Sequence, residues 1–228
     1  MGHAPENTIA SVRKAIELGS PCIEIDVYTV DGQVIVFHDD QLERITDGSG
    51  YVYEQTFDYL RSLDAGDGQQ IPTLQEICIE AGMSTGINVE LKGPETALPV
   101  AQLLEKFFQL GWRKEMFLIS SFQHEQLVEM KRLLPAIKLG ALYEEITDDA
   151  IQSAIKLGVY SIHPCLNCVD QVLVDKAHRC GLKVFVYTAD EAQQINAMQA
   201  LGVDGVFTGF PERVVEHYAQ PDMTHGWC

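Results

Sequence analysis

Basic residues are scarce in this chain: Lys and Arg total 16 against 33 Asp and Glu over 228 residues, a formal charge of -17. That deficit argues against a polyanion, whether nucleic acid or an anionic membrane surface, as the main partner. A phosphate group, if the protein handles one, then needs a local cation, either a bound metal or one particular lysine. Also missing is any apolar run approaching the roughly 20 residues that span a bilayer, and any stretch that reads as a linker or a disordered tract. With 46% hydrophobic residues the chain is long enough for a large core, and a single domain over 1–228 is expected. Cysteine is present without a framework: Cys22, Cys78, Cys165, Cys168, Cys180 and Cys228 are scattered, in a chain large enough not to need staples. Free thiols are expected, and with them a cytoplasmic location. Cys165-Leu-Asn-Cys168 is the only close pair. A zinc site would need a second such pair, and a redox role is disfavoured because this one does not open a helix after a first strand.

What the chain does have is an acidic strand. From Cys22 to Asp39, strand periodicity points Glu24, Asp26 and Tyr28 one way and Ile23, Ile25 and Val27 the other. Asp31-Gly32 turns the chain, and the apolar run Val34 to Phe37 then delivers His38-Asp39 near the end of the first strand. Carboxylates at i and i+2 with a histidine arriving on a hairpin can hold a hard cation and leave an imidazole free for proton transfer. Each of these residues alone is more often an ordinary surface group. The argument strengthens because Gly86 to Lys92 repeats the design, with Asn88, Glu90 and Lys92 on one face and Ile87, Val89 and Leu91 on the other. Two strands that hide their apolar sides from water turn their polar faces toward one enclosed space.

Along the chain, helical spacing predicts a helix over Asn7–Leu18 stopped by Gly19, and 41–70 reads as a small polar, Gly-rich insertion with a short helix near Thr56–Leu63. Thr73-Leu-Gln-Glu76 is a capping box opening a helix to Ala81. Helix and strand then alternate to the end: strands at Met116–Ser120, Ile137–Leu142, Val159–His163, Lys183–Thr188 and Gly205–Thr208, and a last helix from Pro211. Gly111, Gly158, Gly181 and Gly202 each separate a helix from the next strand. Such alternation means a parallel sheet with helices outside it. Polar inward faces favour a closed barrel over a doubly wound sheet, where those faces would lie under helices. The expectation is an α/β (β/α)8 TIM barrel, apparently lacking its first strand in this chain.

Motifs in order and spacing carry a family resemblance: Ala-Pro-Glu-Asn-Thr at 4–8, Glu24-Ile-Asp26, Val36-Phe-His-Asp39 with Leu42-Glu-Arg44, Ile71-Pro-Thr-Leu74, Asn88-Val-Glu-Leu-Lys92, Ser120-Ser-Phe122, Val186-Tyr-Thr188 and Gly202-Val-Asp-Gly205. The chain resembles the glycerophosphodiester phosphodiesterases, metal-dependent barrel enzymes, nearly end to end. The resemblance implies that Glu24, Asp26 and Glu90 hold one divalent ion, that His38 is a catalytic acid or base, and that Lys92 contacts the phosphate. It also places Tyr187 where an aromatic residue packs against glycerol, although plain barrel filling explains Tyr187 equally well. Three carboxylates without thiolate or imidazole suit Mg²⁺ or Ca²⁺ rather than zinc or copper. The expected partner is a small-molecule phosphodiester, hydrolysed to glycerol 3-phosphate and an alcohol.

Departures from the family pattern bear on activity. The family opens with a strand ending His-Arg-Gly, and this sequence begins just after that point; His3 is not its counterpart. The expectation is therefore that Met1 is an internal methionine of a longer product and that this chain turns over poorly. Thr208-Gly-Phe-Pro211 lacks the acid the family often has there. His163 is expected to face the barrel interior, and His124, His178, His217 and His225 the surface. Two alternatives stay open: a phosphodiester-binding pseudoenzyme, and a lysophospholipase D-like enzyme using the same site with a wider mouth.

Overall fold

The computed structural model describes residues 2–215. In chain order the elements are α1 (Ile9–Glu17), β1 (Cys22–Val30), β2 (Gln33–Val36), α2 (Phe57–Ser62), α3 (Leu74–Ala81), β3 (Gly86–Leu91), α4 (Ala97–Gln109), β4 (Phe117–Ser121), α5 (His124–Leu133), β5 (Lys138–Tyr143), α6 (Ala150–Leu157), β6 (Ser161–Pro164), α7 (Gln171–Arg179), β7 (Lys183–Val186), α8 (Ala192–Leu201), β8 (Gly205–Val206) and α9 (Pro211–Val215). The predicted strand starts are all recovered within two residues. Strands and helices end where local chemistry ends them. Thr8 and Thr73 each accept from the third residue of the helix that follows, and both close a reciprocal capping box. Gly111, Gly158, Gly181 and Gly202 all sit at positive φ, from 66° to 94°, where a side chain would be strained.

The sheet has eight strands in the order β2-β1-β3-β4-β5-β6-β7-β8, parallel except for the antiparallel β1–β2 hairpin. Its members curl as in a barrel, but β8 and β1 are not paired with each other. Seven parallel strands match the sequence reading, and the eighth is the hairpin strand that delivers His38 rather than a further barrel stave. The outward faces of these strands (Ile25, Val27, Val89, Leu91, Ile119, Leu139, Ile162 and Val184 among them) pack against the helices in one continuous buried core. A second, smaller core under the 41–70 segment joins Tyr28, Ile35 and Phe37 to Leu42, Val52, Leu60 and Ile71. The segment is thus anchored on the hairpin that carries His38. No helix among the described residues is long and apolar enough to cross a membrane.

On the open side, the chain before α1 spans from β8 to β1. His3 bonds Glu212 at 3.0 Å and meets Phe210 edge-on. Asn7 then uses its amide twice, accepting from the Asp26 N–H at 3.1 Å and donating to the Asp26 carboxylate at 2.9 Å. A side chain there satisfies a strand-edge donor that no neighbouring strand reaches.

Inside the barrel, His163 is fully buried, bonded to Ser161 at 2.8 Å and flanked by Phe185 and Phe207. Burial pushes its pKa down to about 3, so it is neutral. Gly140 on the adjacent strand makes room for the ring: a Cβ there would run into it, with Cε1 at 2.5 Å and the Ser161 hydroxyl at 3.1 Å. Gly140→Ala is therefore expected to destabilise the protein by about 1–3 kcal/mol, the usual cost of overpacking. A thermal melt checks it; an unchanged Tm would mean the interior is loosely packed at this layer.

Candidate active site

Strand pairing decides which carboxylates meet. Asp26 on β1 lies directly beside Glu90 on β3, and Glu24 beside Asn88, so the inward residues of the two strands form a contiguous acidic patch. One oxygen from each of Glu24, Asp26 and Glu90 lies within 4.8 Å of the others. That spacing suits a cation bound at the 2.0–2.6 Å typical of Mg²⁺ and Ca²⁺, since ligands on opposite sides of such an ion are roughly twice that distance apart. Asp26 and Glu90 are buried, whereas Glu24 is exposed. The enclosed space expected from the sequence holds for Asp26 and Glu90 but is open to water at Glu24, on the side where β8 and β1 are not paired.

The Glu90 Oε1 atom is buried without a hydrogen bond. Lys92 Nζ stands 3.2 Å from it and 3.6 Å from Asp26 Oδ1, near enough for charge attraction but not aligned for a hydrogen bond. A buried, unsatisfied carboxylate oxygen is costly, and a cation would relieve it. The all-oxygen donor set and this orphaned atom both fit a hard divalent ion.

Two of these acids, Glu90 and Glu24, do not ionise freely. Desolvation, then repulsion from Asp26, raises the Glu90 pKa, and Lys92 only partly opposes it. Glu24 is raised well above the ordinary range by the protein atoms crowding it and by repulsion from Asp26 and Glu90. Because its side chain is open to solvent, repulsion is the cause that carries weight there. Burial works against the Lys92 ammonium, but Glu90 and Asp26 outweigh it and raise its pKa.

A pH dependence follows. The folded, ion-free protein keeps protons on Glu24 and Glu90 that the unfolded chain releases near 4.5, so their contribution to stability is full below that pH and is lost as pH rises toward neutrality. Asp39 has the opposite sign, with its pKa lowered to about 2, so its contribution is lost only in acid and is constant over this window. The Tm of chelator-treated protein is expected to fall from about pH 4.5 to 7 more steeply than that of Glu90→Gln. Equal slopes would mean that the acidic patch is relaxed.

His38 reaches the patch through backbone pairing: the Phe37 N–H donates to the Asp26 carbonyl at 2.9 Å, which ties the end of the hairpin to the strand bearing the acids. Its Nδ1 lies 2.6 Å from Asp39 Oδ1. Arg44 in turn clamps both Asp39 oxygens and forks onto Glu6. Chiefly through Arg44, and also through His38, Asp39 stays ionised. An ionised carboxylate only accepts, so Nδ1 carries the hydrogen and Nε2 is left for proton exchange. Glu6, His38 and Asp39 also cluster closely enough to suggest a second cation site, but the Arg44 guanidinium already serves its carboxylates.

Tyr187 sits just past β7, its hydroxyl donating to the Tyr143 carbonyl at 3.0 Å and its ring edge-on to Phe122. The hydroxyl is thereby committed, which leaves the ring as the part that can meet a ligand. The other histidines among the described residues are engaged elsewhere. His124 bonds the Leu142 carbonyl at 3.1 Å, and His178 pairs with Asp204 at 2.8 Å. His217 and His225 lie outside the described residues. Thr208 and the Gly209 N–H both donate to Asp190, at 3.1 and 2.8 Å, so an acid from the preceding loop organises the turn where the family's own acid is missing. Sequence reasoning passed over Arg44 and Asn7 as working residues. Arg44 did leave a signal, since it and Arg61 are the only basic side chains between His38 and Lys92.

Comparison with known proteins bears on this geometry. Residues 1–213 match the Glycerophosphoryl diester phosphodiesterase family. A glycerophosphodiester phosphodiesterase of Caldanaerobacter subterraneus subsp. tengcongensis is 34% identical over 223 residues, covering 93% of this chain and 92% of that protein. Among solved structures, an Oleispira antarctica phosphodiesterase in complex with the product sn-glycerol-3-phosphate superimposes with a TM-score of 0.87 at 30% identity, covering 94% of this chain and 92% of the other. A putative glycerophosphodiester phosphodiesterase from Galdieria sulphuraria gives a TM-score of 0.85 at 25% identity, with 95% and 92% covered.

Proposed function

Because the chain belongs to the glycerophosphoryl diester phosphodiesterase family, we propose that it hydrolyses a small glycerophosphodiester to glycerol 3-phosphate and an alcohol, with one Mg²⁺ or Ca²⁺ held by Glu24, Asp26 and Glu90. The observation that carries this reading is the convergence of one oxygen each from Glu24, Asp26 and Glu90 within 4.8 Å of one another, together with a buried Glu90 oxygen that has no hydrogen bond. The Oleispira enzyme's bound product supports the substrate class. When bound, the ion polarises a phosphoryl oxygen and offsets its negative charge.

The chain's own residues supply the rest. Lys92, held over the patch by Asp26 and Glu90, offers a point charge to a phosphate oxygen. His38, its Nδ1–H fixed by Asp39, exchanges a proton at Nε2 with the reacting or departing hydroxyl. The Tyr187 ring meets the glycerol carbons by apolar contact. Water adds across the P–O bond to the alcohol, and the alcohol leaves with a proton.

A second reading, binding without turnover, draws on one observation: of the histidines among the described residues, only His38 is tied by backbone to the acidic strand, and His3, His124, His163 and His178 are bonded elsewhere. The test is release of glycerol 3-phosphate from glycerophosphocholine and glycerophosphoethanolamine, and of lysophosphatidate and choline from lysophosphatidylcholine, with Mg²⁺ or Ca²⁺ and with chelator. Release from the first two, dependent on ion, is expected. Calorimetric binding of glycerophosphocholine without release selects the binding reading, and release only from the lysophospholipid selects a lysophospholipase D-like enzyme. Neither binding nor release would overturn the proposal.

A further inference from the structure

The Cys165–Cys168 pair is unused by the diesterase site, yet it sits beside it. Cys165 directly follows β6, and the short 3₁₀ turn Leu166–Cys168 closes with the Cys168 N–H donating to the Cys165 carbonyl at 3.0 Å. The turn folds the side chains together, with the sulfurs in contact at 2.6 Å. Both residues are partly exposed, and both are free thiols. The sequence argued against redox chemistry because no helix N-terminus lowers a thiol pKa here, and the structure agrees that none does: the Cys168 thiol is raised, first by its hydrogen bond with Cys165 and then by burial. Closing a disulfide, however, requires proximity and access rather than an activated thiol alone.

The surroundings select the oxidant. The loop after β5 carries Glu144, Glu145, Asp148 and Asp149, all exposed, and the Cys168 thiol donates to the Glu144 carbonyl at 3.1 Å. An acidic rim on an acidic protein repels anionic reagents and gathers cationic ones.

We propose that Cys165 and Cys168 are a disulfide-forming pair at the barrel rim, closed by exchange with a cationic small-molecule disulfide. One thiolate attacks the reagent's S–S bond, forming a mixed disulfide and releasing one reagent thiol. The second thiolate attacks the protein sulfur of that mixed disulfide, forming the Cys165–Cys168 bond and releasing the other reagent thiol. Two protein thiols are oxidised and one reagent disulfide is reduced. The pair also touches the substrate side: the Tyr143 carbonyl accepts both the Cys165 N–H, at 3.2 Å, and the Tyr187 hydroxyl, and the Leu166 N–H donates to the Tyr187 carbonyl at 2.7 Å. Closure is transmitted to Tyr187 through these bonds.

The test exposes the reduced protein to cystamine or to glutathione disulfide at equal concentration, followed by trypsin and mass spectrometry. The peptide from Leu157 to Lys176 contains Cys165 and Cys168 and no other cysteine. It is expected to lose two hydrogens without an adduct, to regain them with dithiothreitol, and to close on the order of tenfold faster with cystamine at low salt, a ratio that shrinks as salt is added. Cys168→Ser should instead trap one mixed disulfide on Cys165. A peptide that stays reduced while the exposed Cys180 is modified, or that carries two separate adducts, overturns the pair; equal rates with the two reagents overturn the charge selection. In the same samples, a changed KM for glycerophosphocholine at unchanged Mg²⁺ affinity is expected, and an unchanged KM severs the link to Tyr187. Only that last arm rests on the proposed diesterase reading, so the mass result stands or falls independently of it.

Discussion

Glu90→Gln is expected to lower kcat/KM by on the order of 10³-fold while leaving the ion-free protein as stable as wild type or more so. The two effects have one cause. Glu90 is buried, and its Oε1 has no hydrogen bond. Its ionised form is opposed by desolvation and by Asp26, so the amide removes a penalty from the ion-free fold. The same change removes one of the three proposed anionic ligands, and affinity for Mg²⁺ or Ca²⁺ should fall at least as far as the ~10–100-fold typical of losing a mere supporting group. Calorimetric titration, a chelated-protein melt and turnover measure the three quantities on one sample. Unchanged ion affinity would remove Glu90 from the ligand set, and a large drop in Tm would mean that the carboxylate is structural.

His38→Ala is expected to reduce kcat by roughly 10²–10⁴-fold, the range for loss of a general acid or base, with ion affinity and KM little changed. His38 is not among the three acids, and its Nδ1 is engaged by Asp39 at 2.6 Å. Asp39→Asn should cost less in kcat, because the imidazole remains and only its tautomer and orientation are released. Loss of ion binding in His38→Ala would make the imidazole a ligand. Equal kcat in the Asp39 variant and wild type would show that the Arg44–Asp39 clamp positions the loop rather than the ring.

Much of the acidic patch was legible in the sequence because its signal is local. The period of two along β1 and β3 sends Glu24, Asp26, Glu90 and Lys92 inward and their aliphatic neighbours outward, whichever strands they pair with. The Asp31-Gly32 turn, with φ of 51° and 75°, and the Thr73–Glu76 capping box were equally readable, since each is decided within four residues. Boundaries moved by a residue or two where a cap or a 3₁₀ turn, such as Lys114–Met116 before β4, took the end of an expected strand.

What the sequence by itself determined is a pattern: carboxylates on one face of two strands, one lysine beside them, a histidine on a hairpin, and an alternation of elements that yields a parallel sheet. Tertiary structure decided which polar atoms are satisfied. Asn7 bonds a residue 19 positions away, and Arg44 reaches Glu6 across 38, contacts that depend on register and loop closure and leave no periodicity to read. The exposure of Glu24 on the unpaired side of the sheet and the burial of His163 beside Gly140 were settled the same way. So was the contact between Cys165 and Cys168, for a two-residue spacing is common to many turns and only this one, pinned by Tyr143, Glu144 and Tyr187, brings the sulfurs together.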